Sequence, residues 1–238
     1  MNLVVPAVIP TSYQDLLDKL AIFDQIPSHR VQIDMVDGVF ATPTSWPYTA
    51  GTDLHDRVAG GALLPRLDRV KYEVDLFCKD PEAIAADLLN LGIARITVHA
   101  ECTDDIVGLI ARMRRRVGAE ANFIAALVSI GLSINVDTDI AVLVGLAGQV
   151  EYVQFMGIDT IGQQGQPFNP KVVEKVRAFH AECPGVIIQV DGGISLDNAK
   201  ELVAAGASRL VIGSAILHAK DLQATVATFE ALKKPYGA

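Results

Sequence analysis

Along this chain, short runs rich in Val, Ile and Leu alternate with stretches in which apolar residues return every three or four positions. The first pattern predicts β-strands and the second amphipathic helices. Strands are expected at LVVPAVI from Leu3, RVQIDMV from Arg30, VKYEVDLF from Val70, RITVHAE from Arg95, VEYVQFM from Val150, GVIIQVDG from Gly185 and RLVIGSAI from Arg209. A further strand lies within NFIAALVSIGLSI from Asn122, at either FIAALVS or IGLSI. Helical patterns fill the intervals at YQDLLDKLAIF, DPEAIAADLLNLG, DDIVGLIARMRRR, NPKVVEKVRAFHAE and LDNAKELVAAG, several with Asp or Asn starts and Gly stops. Strand-helix alternation implies parallel strands joined by helical crossovers. Eight such units in 238 residues predict a single (β/α)8 TIM barrel over residues 1–238. A doubly wound open sheet is the alternative arrangement.

Within the strands, parity sorts polar from apolar positions. Gln32 and Asp34 oppose Val31, Ile33 and Met35; Glu73 and Asp75 oppose Tyr72, Val74 and Leu76. Thr97, His99 and Glu101 oppose Ile96 and Val98, and Gln189 and Asp191 oppose Ile188 and Val190. Asp37 falls on the opposite parity to Asp34 unless its strand ends first. In a barrel the apolar face packs under the helices and the polar face points inward. Each polar pair also falls near the C-terminal end of its strand, the end at which barrel enzymes build active sites. Burying several carboxylates for packing alone is costly, so Asp34, Asp75 and Asp191 are candidates for a functional site. His99 and Glu101 read equally well as functional or as structural partners.

Composition narrows the classes. A formal charge of −8 disfavours nonspecific binding to nucleic acid or anionic membrane. The basic cluster RMRRR, Arg112 to Arg116, comes late in a helical pattern and reads as a solvated helix end. No apolar run reaches the roughly 20 residues of a membrane span, and the start lacks the features of a secretory signal, so a cytoplasmic location is expected. Cys78, Cys102 and Cys183 form neither a disulfide framework nor a zinc pattern.

Two glycine turns close the pattern: DGGIS, Asp191 to Ser195, after strand 7, and GSAIL, Gly213 to Leu217, after strand 8. Glycine permits close backbone approach, and loops entering helix N-termini aim N–H groups at anions. These two loops are the usual phosphate seat in a TIM barrel. Gly192, Gly193, Gly213 and Ser214 are therefore expected phosphate contacts. The GQQGQPF loop from Gly162 is long enough to fold over a ligand.

Nearly the full chain resembles the ribulose-phosphate 3-epimerase family. The family's His-x-Asp-x-Met-Asp-Gly strand is similar to Gln32 through Gly38, its His-Leu-Met strand to Asp75 through Phe77, and its Phe-His-x-Glu strand to Val98 through Glu101. Its Gly-x-Gly-Gly-Gln-x-Phe loop resembles Gly162 through Phe168, and its closing motifs resemble Val190 to Ile194 and Ala205 to Leu217. The resemblance implies a phosphate-binding barrel in which Asp34 and Asp191 exchange the C3 proton of a ketopentose 5-phosphate from opposite faces. It also implies a divalent metal, a phosphate contact at Gly165 in the strand 6 loop, substrate contacts at Gln32, Asp75 and Met156, and a homo-oligomer.

The departures cluster at the metal. Both ligand histidines of the family are replaced, by Gln32 and Asp75; its serine after the early proline is Ala7, and one loop glycine is Gln164. Asp34, Asp75 and Asp191 together with Gln32 make an all-oxygen set that suits Mg2+ or Mn2+ better than zinc. Alternatively, Gln32 acts as a hydrogen-bond donor and no metal binds. Two other functions stay open: a phosphosugar lyase or isomerase of a neighbouring barrel family, and a phosphosugar-binding paralogue without turnover. A Schiff-base lyase lacks an inward lysine, because Lys71 lies too early in its strand.

Overall fold

The computed structural model describes residues 2–120 and 128–233, without the side chains of 117–120. Eight strands close in sequence order into one parallel barrel: β1 Val4–Val8, β2 Arg30–Val36, β3 Lys71–Phe77, β4 Ile93–His99, β5 Ser129–Ile134, β6 Tyr152–Met156, β7 Ile187–Asp191 and β8 Arg209–Ile212. The closed order excludes the open sheet. Strand 5 is the IGLSI half of its run; most of FIAALVS lies outside the described residues. Strand 4 starts two residues earlier than its pattern predicts, across a register shift against β3.

Helices cover the outside. Those anticipated are α1 Tyr13–Ile22, α3 Glu82–Asn90, α4 Ile106–Glu120, α6 Lys171–Glu182 and α7 Leu196–Ala205. Asp80, Asp105 and Asn169 each accept from an N–H in the first turn of α3, α4 and α6, at 3.2, 2.9 and 3.0 Å, the capping chemistry that favours these residues at helix starts. Gly206 ends α7 with φ 120°. Shorter segments complete the ring: α2 Asp53–Ala59, α5 Ala141–Leu146, α8 Ser214–Leu217 and α9 Leu222–Glu230. The basic cluster is not a helix end, because α4 runs on to Glu120; Arg112 and Arg114 lie mid-helix and pair with Glu82 at 2.8 Å and Glu151 at 2.6 Å, so the cluster is tied to its own chain. Among the described residues no helix is long and apolar enough to cross a membrane.

Strand parity holds. Val31, Ile33, Met35, Val74, Leu76, Ile188 and Val190 are buried in the layer between sheet and helices. Gln32, Glu73, Asp75, Thr97, Gln154 and Gln189 are fully buried inside the barrel. Small residues make room for large ones there. A Cβ on Gly131 would stand 2.2 Å from the Tyr152 ring, which therefore lies across that glycine. The Tyr152 hydroxyl meets Thr97 Oγ1 at 2.7 Å, and the Arg95 guanidinium sits 3.6 Å above the ring.

Gly131→Ala should lower stability in urea unfolding by about 1–3 kcal/mol, the usual penalty for overpacking a core. The loss should shrink in a Tyr152→Leu background, where the clashing ring is gone; an equal loss in both backgrounds would contradict this packing.

Candidate active site

The site is built from the floor of the barrel upward. At the N-terminal end of the strands, Arg30 Nη1 donates to Glu73 Oε2 at 3.1 Å, and Arg95 Nε lies 3.4 Å from the same oxygen. Glu73 Oε1 accepts from Gln189 Nε2 at 2.9 Å. That nitrogen also faces Gln32 Oε1 at 3.0 Å and Gln154 Oε1 at 2.9 Å. With their oxygens turned down, both glutamines present N–H groups to the mouth. Gln154 Nε2 donates to Asp75 Oδ2 at 2.5 Å, and Gln32 Nε2 donates to Asp34 Oδ1 at 2.8 Å and Asp191 Oδ2 at 2.7 Å. One amide nitrogen thus serves both carboxylates.

Asp34, Asp75 and Asp191 bring oxygens to within 4.8 Å of one another, all buried. Asp34 stands on β2 and Asp191 on β7; the strands between them, β1 and β8, turn only Ala7 and Val211 toward the mouth. No polar side chain on that side separates the two aspartates. Burial, and then the charges of neighbouring carboxylates, push Asp34 and Asp191 well above the usual carboxylate range, against the opposing pull of the Gln32 hydrogen bonds. The two groups titrate as a pair.

A cleft of about 500 Å3 opens above them. Asp34, Asp191 and Met156 front it, together with Gly165, Gly192, Gly193, Gly213 and Ser214, so seven of the expected contacts and Met156's sulfur-bearing side chain meet at one mouth. Gly192 and Gly193 have φ of 103° and 67°, a turn that L side chains resist. A Cβ on Gly193 would stand 2.6 Å from Phe168 Cα, which fixes the turn against the β6–α6 loop. The N–H groups of Ser214 and Ala215 open α8 and have no intrahelical partner. Neutral N–H groups therefore edge the cleft, and no Lys, Arg or His lines it among the described residues.

Two of the expected contacts take other places. Gln32 and Asp75 have no exposed surface and stand behind the cleft wall, because their partners lie inside the barrel. Asp75 is held by Gln154 and by His99, whose Nε2 is 3.0 Å from its other oxygen while the ring packs on Phe40 and Phe77. His99 thus orients a neighbour. Glu101 leaves the inward row because β4 ends at His99; it binds Asn135 N at 2.8 Å and Thr138, securing the loop after β5. Asp37 likewise follows the end of β2 and accepts from Val39, Phe40 and Lys79 N–H groups at 2.7, 2.7 and 2.9 Å. Gln154 escaped notice although it shares parity with Met156, a signal that alternation alone carries.

The residues are suited to a divalent cation. Three carboxylates converge with one imidazole against them, His99 on Asp75, whereas Gln32 turns its N–H groups, not its oxygen, toward them. Such a donor set is hard and anionic.

Against known proteins, the family model described as "Ribulose-phosphate 3 epimerase family" matches residues 3–217. The chain belongs to that family. A ribulose-phosphate 3-epimerase of Mycobacterium tuberculosis is 27% identical over 99% of this chain and 93% of the relative. The chloroplastic ribulose-5-phosphate-3-epimerase of Arabidopsis thaliana is 26% identical over 98% of this chain and 78% of the relative. The solved 3-hexulose-6-phosphate synthase from Salmonella typhimurium superposes with a TM-score of 0.65 at 15% identity, over 98% of both chains. It shares the barrel.

The raised carboxyls set the sign of a pH effect. The folded protein holds protons on Asp34 and Asp191 that the unfolded chain releases near pH 4, so this contribution is full below that pH and is lost as pH rises through the folded-state values. Asp191→Asn should therefore raise the Tm of metal-free protein at pH 8 by roughly 2–4 °C, the span of about 1 kcal/mol in a chain of this size. The gain should vanish near pH 4. Added Mg2+ or Mn2+ should stabilise the parent protein at pH 8 and not the variant; calorimetric melts across pH check both.

Proposed function

We propose that this chain is a sugar-phosphate 3-epimerase that interconverts ketose phosphates such as ribulose 5-phosphate and xylulose 5-phosphate by proton exchange between two aspartates. The observation that carries the reading is the pair Asp34 and Asp191, which front one cleft and share the Gln32 amide. Family membership supplies the reaction class.

Exchange at a carbon beside a carbonyl needs a base on one face and an acid on the other. Repulsion within the buried pair favours one ionised and one protonated carboxyl, the state such a reaction starts from. The ionised partner takes the C3 proton, the bond's electron pair moves onto the neighbouring carbonyl oxygen, and the protonated partner delivers a proton to the opposite face of C3. The reverse direction exchanges their roles. Gln32 restrains both groups throughout, and Gln154 with His99 fixes Asp75. Asp34, Asp75 and Asp191 would hold a divalent cation, with the oxygen donors favouring Mg2+ or Mn2+, and when bound it supplies Lewis-acid stabilisation of the oxyanion. The phosphate is held at the glycine turns after β7 and β8. The absence of lysine from the described cleft lining disfavours a Schiff-base lyase.

Incubation with ketose phosphates in D2O should place deuterium at C3, and no incorporation into any of them would end this reading. Asp34→Asn and Asp191→Asn should each slow incorporation by about 10²–10⁴, the usual worth of a positioned acid or base. Competitive inhibition by inorganic phosphate should survive both changes; its loss together with exchange would refute the separation of proton transfer from phosphate binding.

A further inference from the structure

The β6–α6 loop crosses the cleft as a row of glutamines. Gln163 Nε2 donates to the Thr42 carbonyl at 3.0 Å and Gln166 Nε2 to Gln163 Oε1 at 3.4 Å, so these two tie the loop to the segment after β2. Gln164 turns into the cleft instead. Its Nε2 donates to the Ala7 carbonyl at 3.1 Å, on β1. A carbonyl only accepts, so the atom placed there is the amide nitrogen.

The same nitrogen lies over the turn after β8. A Cβ built on Gly213 would stand 2.3 Å from it, so the amide occupies the space that glycine leaves open. An amide nitrogen carries two hydrogens. One goes to Ala7; the other has no protein acceptor among the described residues and sits beside Gly213 and Ser214, at the anion end of the cleft. Among the described residues no basic side chain lines this cleft, so a dianion entering it meets only neutral donors there, and each one weighs heavily.

We propose that Gln164 is a ligand-binding residue whose free amide N–H donates to the phosphate group, making this chain's preference for phosphorylated ligands depend on a side chain as well as on backbone. The proposal rests on the ketose-phosphate reading above. It also gives the closed loop a purpose: Gln164 spans from β1 to the phosphate and so fixes the loop over an occupied cleft.

The test compares Gln164→Leu, which keeps the bulk and removes the donor, with Gln164→Lys, which keeps a donor at similar reach. Gln164 is exposed, so neither change threatens the fold, and a thermal melt verifies this. Gln164→Leu should raise both the inhibition constant of inorganic phosphate and the KM for ribulose 5-phosphate by about tenfold or more, as loss of a hydrogen bond to a charged group does. Its kcat should stay within about threefold of the parent, the mark of lost uniform binding. Gln164→Lys should bind phosphate at least as tightly as the parent. Unchanged or tighter phosphate binding by Gln164→Leu overturns the proposal, as does a lysine variant as weak as the leucine one. Calorimetric titration with inorganic phosphate decides the role of Gln164 even if the parent exchanges no proton, so the two readings fail separately.

Discussion

Inside a closed barrel every polar side chain must find its partners within the barrel, and the ion pair between Arg30 and Glu73 decides how they do so. A carboxylate flanked by two guanidinium groups presents its oxygens as acceptors. Its free oxygen therefore fixes the Gln189 amide with nitrogen facing inward. That nitrogen in turn fixes Gln32 and Gln154 with oxygens down and nitrogens up. The polarity of three amides is inherited from the barrel floor. At the mouth it emerges as N–H groups aimed at Asp34, Asp191 and Asp75. Reversing the Gln32 amide would set its oxygen against the oxygens of Asp34 and Asp191 and its nitrogen against Gln189 Nε2, leaving buried polar groups unpaired at about 1–3 kcal/mol each.

This ladder explains how a barrel can carry acidic groups so deep. Arginines stand at one end of the interior and aspartates at the other, with neutral amides between them. The floor cations are too far down to neutralise the mouth: what raises Asp34 and Asp191 is burial and the neighbouring acids, and only the Gln32 hydrogen bonds pull the other way. The aspartates are thus oriented firmly while their charge is left uncompensated. Burial without a countercharge favours the protonated form of each carboxyl.

The sequence conveyed most of this because strand alternation is a geometric rule. Gln32, Asp34, Glu73, Asp75, Gln189 and Asp191 all lie on the inward face that their parity assigns. The rule fails where a strand stops. Glu101 and Asp37 continue the acidic pattern in print, but β4 ends at His99 and β2 at Val36, and both side chains turn to cap loops. Alternation also says nothing about depth, so Gln32 and Asp75 were placed at the ligand when they stand one layer behind it. Gln164 sits in a loop with no period at all. Its direction depends on a carbonyl of β1, 157 residues earlier in the chain, and local sequence contains no record of that contact.

The cleft itself poses a charge problem that constrains any mechanism. Asp34, Asp75 and Asp191 gather at one end and the glycine turns at the other, with no basic side chain among the described residues between them. A phosphate dianion entering such a space can be held by N–H dipoles, which supply partial charge without a full cation. It cannot also offset the carboxylates. Either one of them keeps its proton or a divalent cation shares them. The replacement of imidazoles by Gln32 and Asp75 moves this balance toward carboxylate oxygen. The geometry of the pair therefore survives a change in the chemistry of its surroundings, because the amide ladder and not the lost histidines holds it in place.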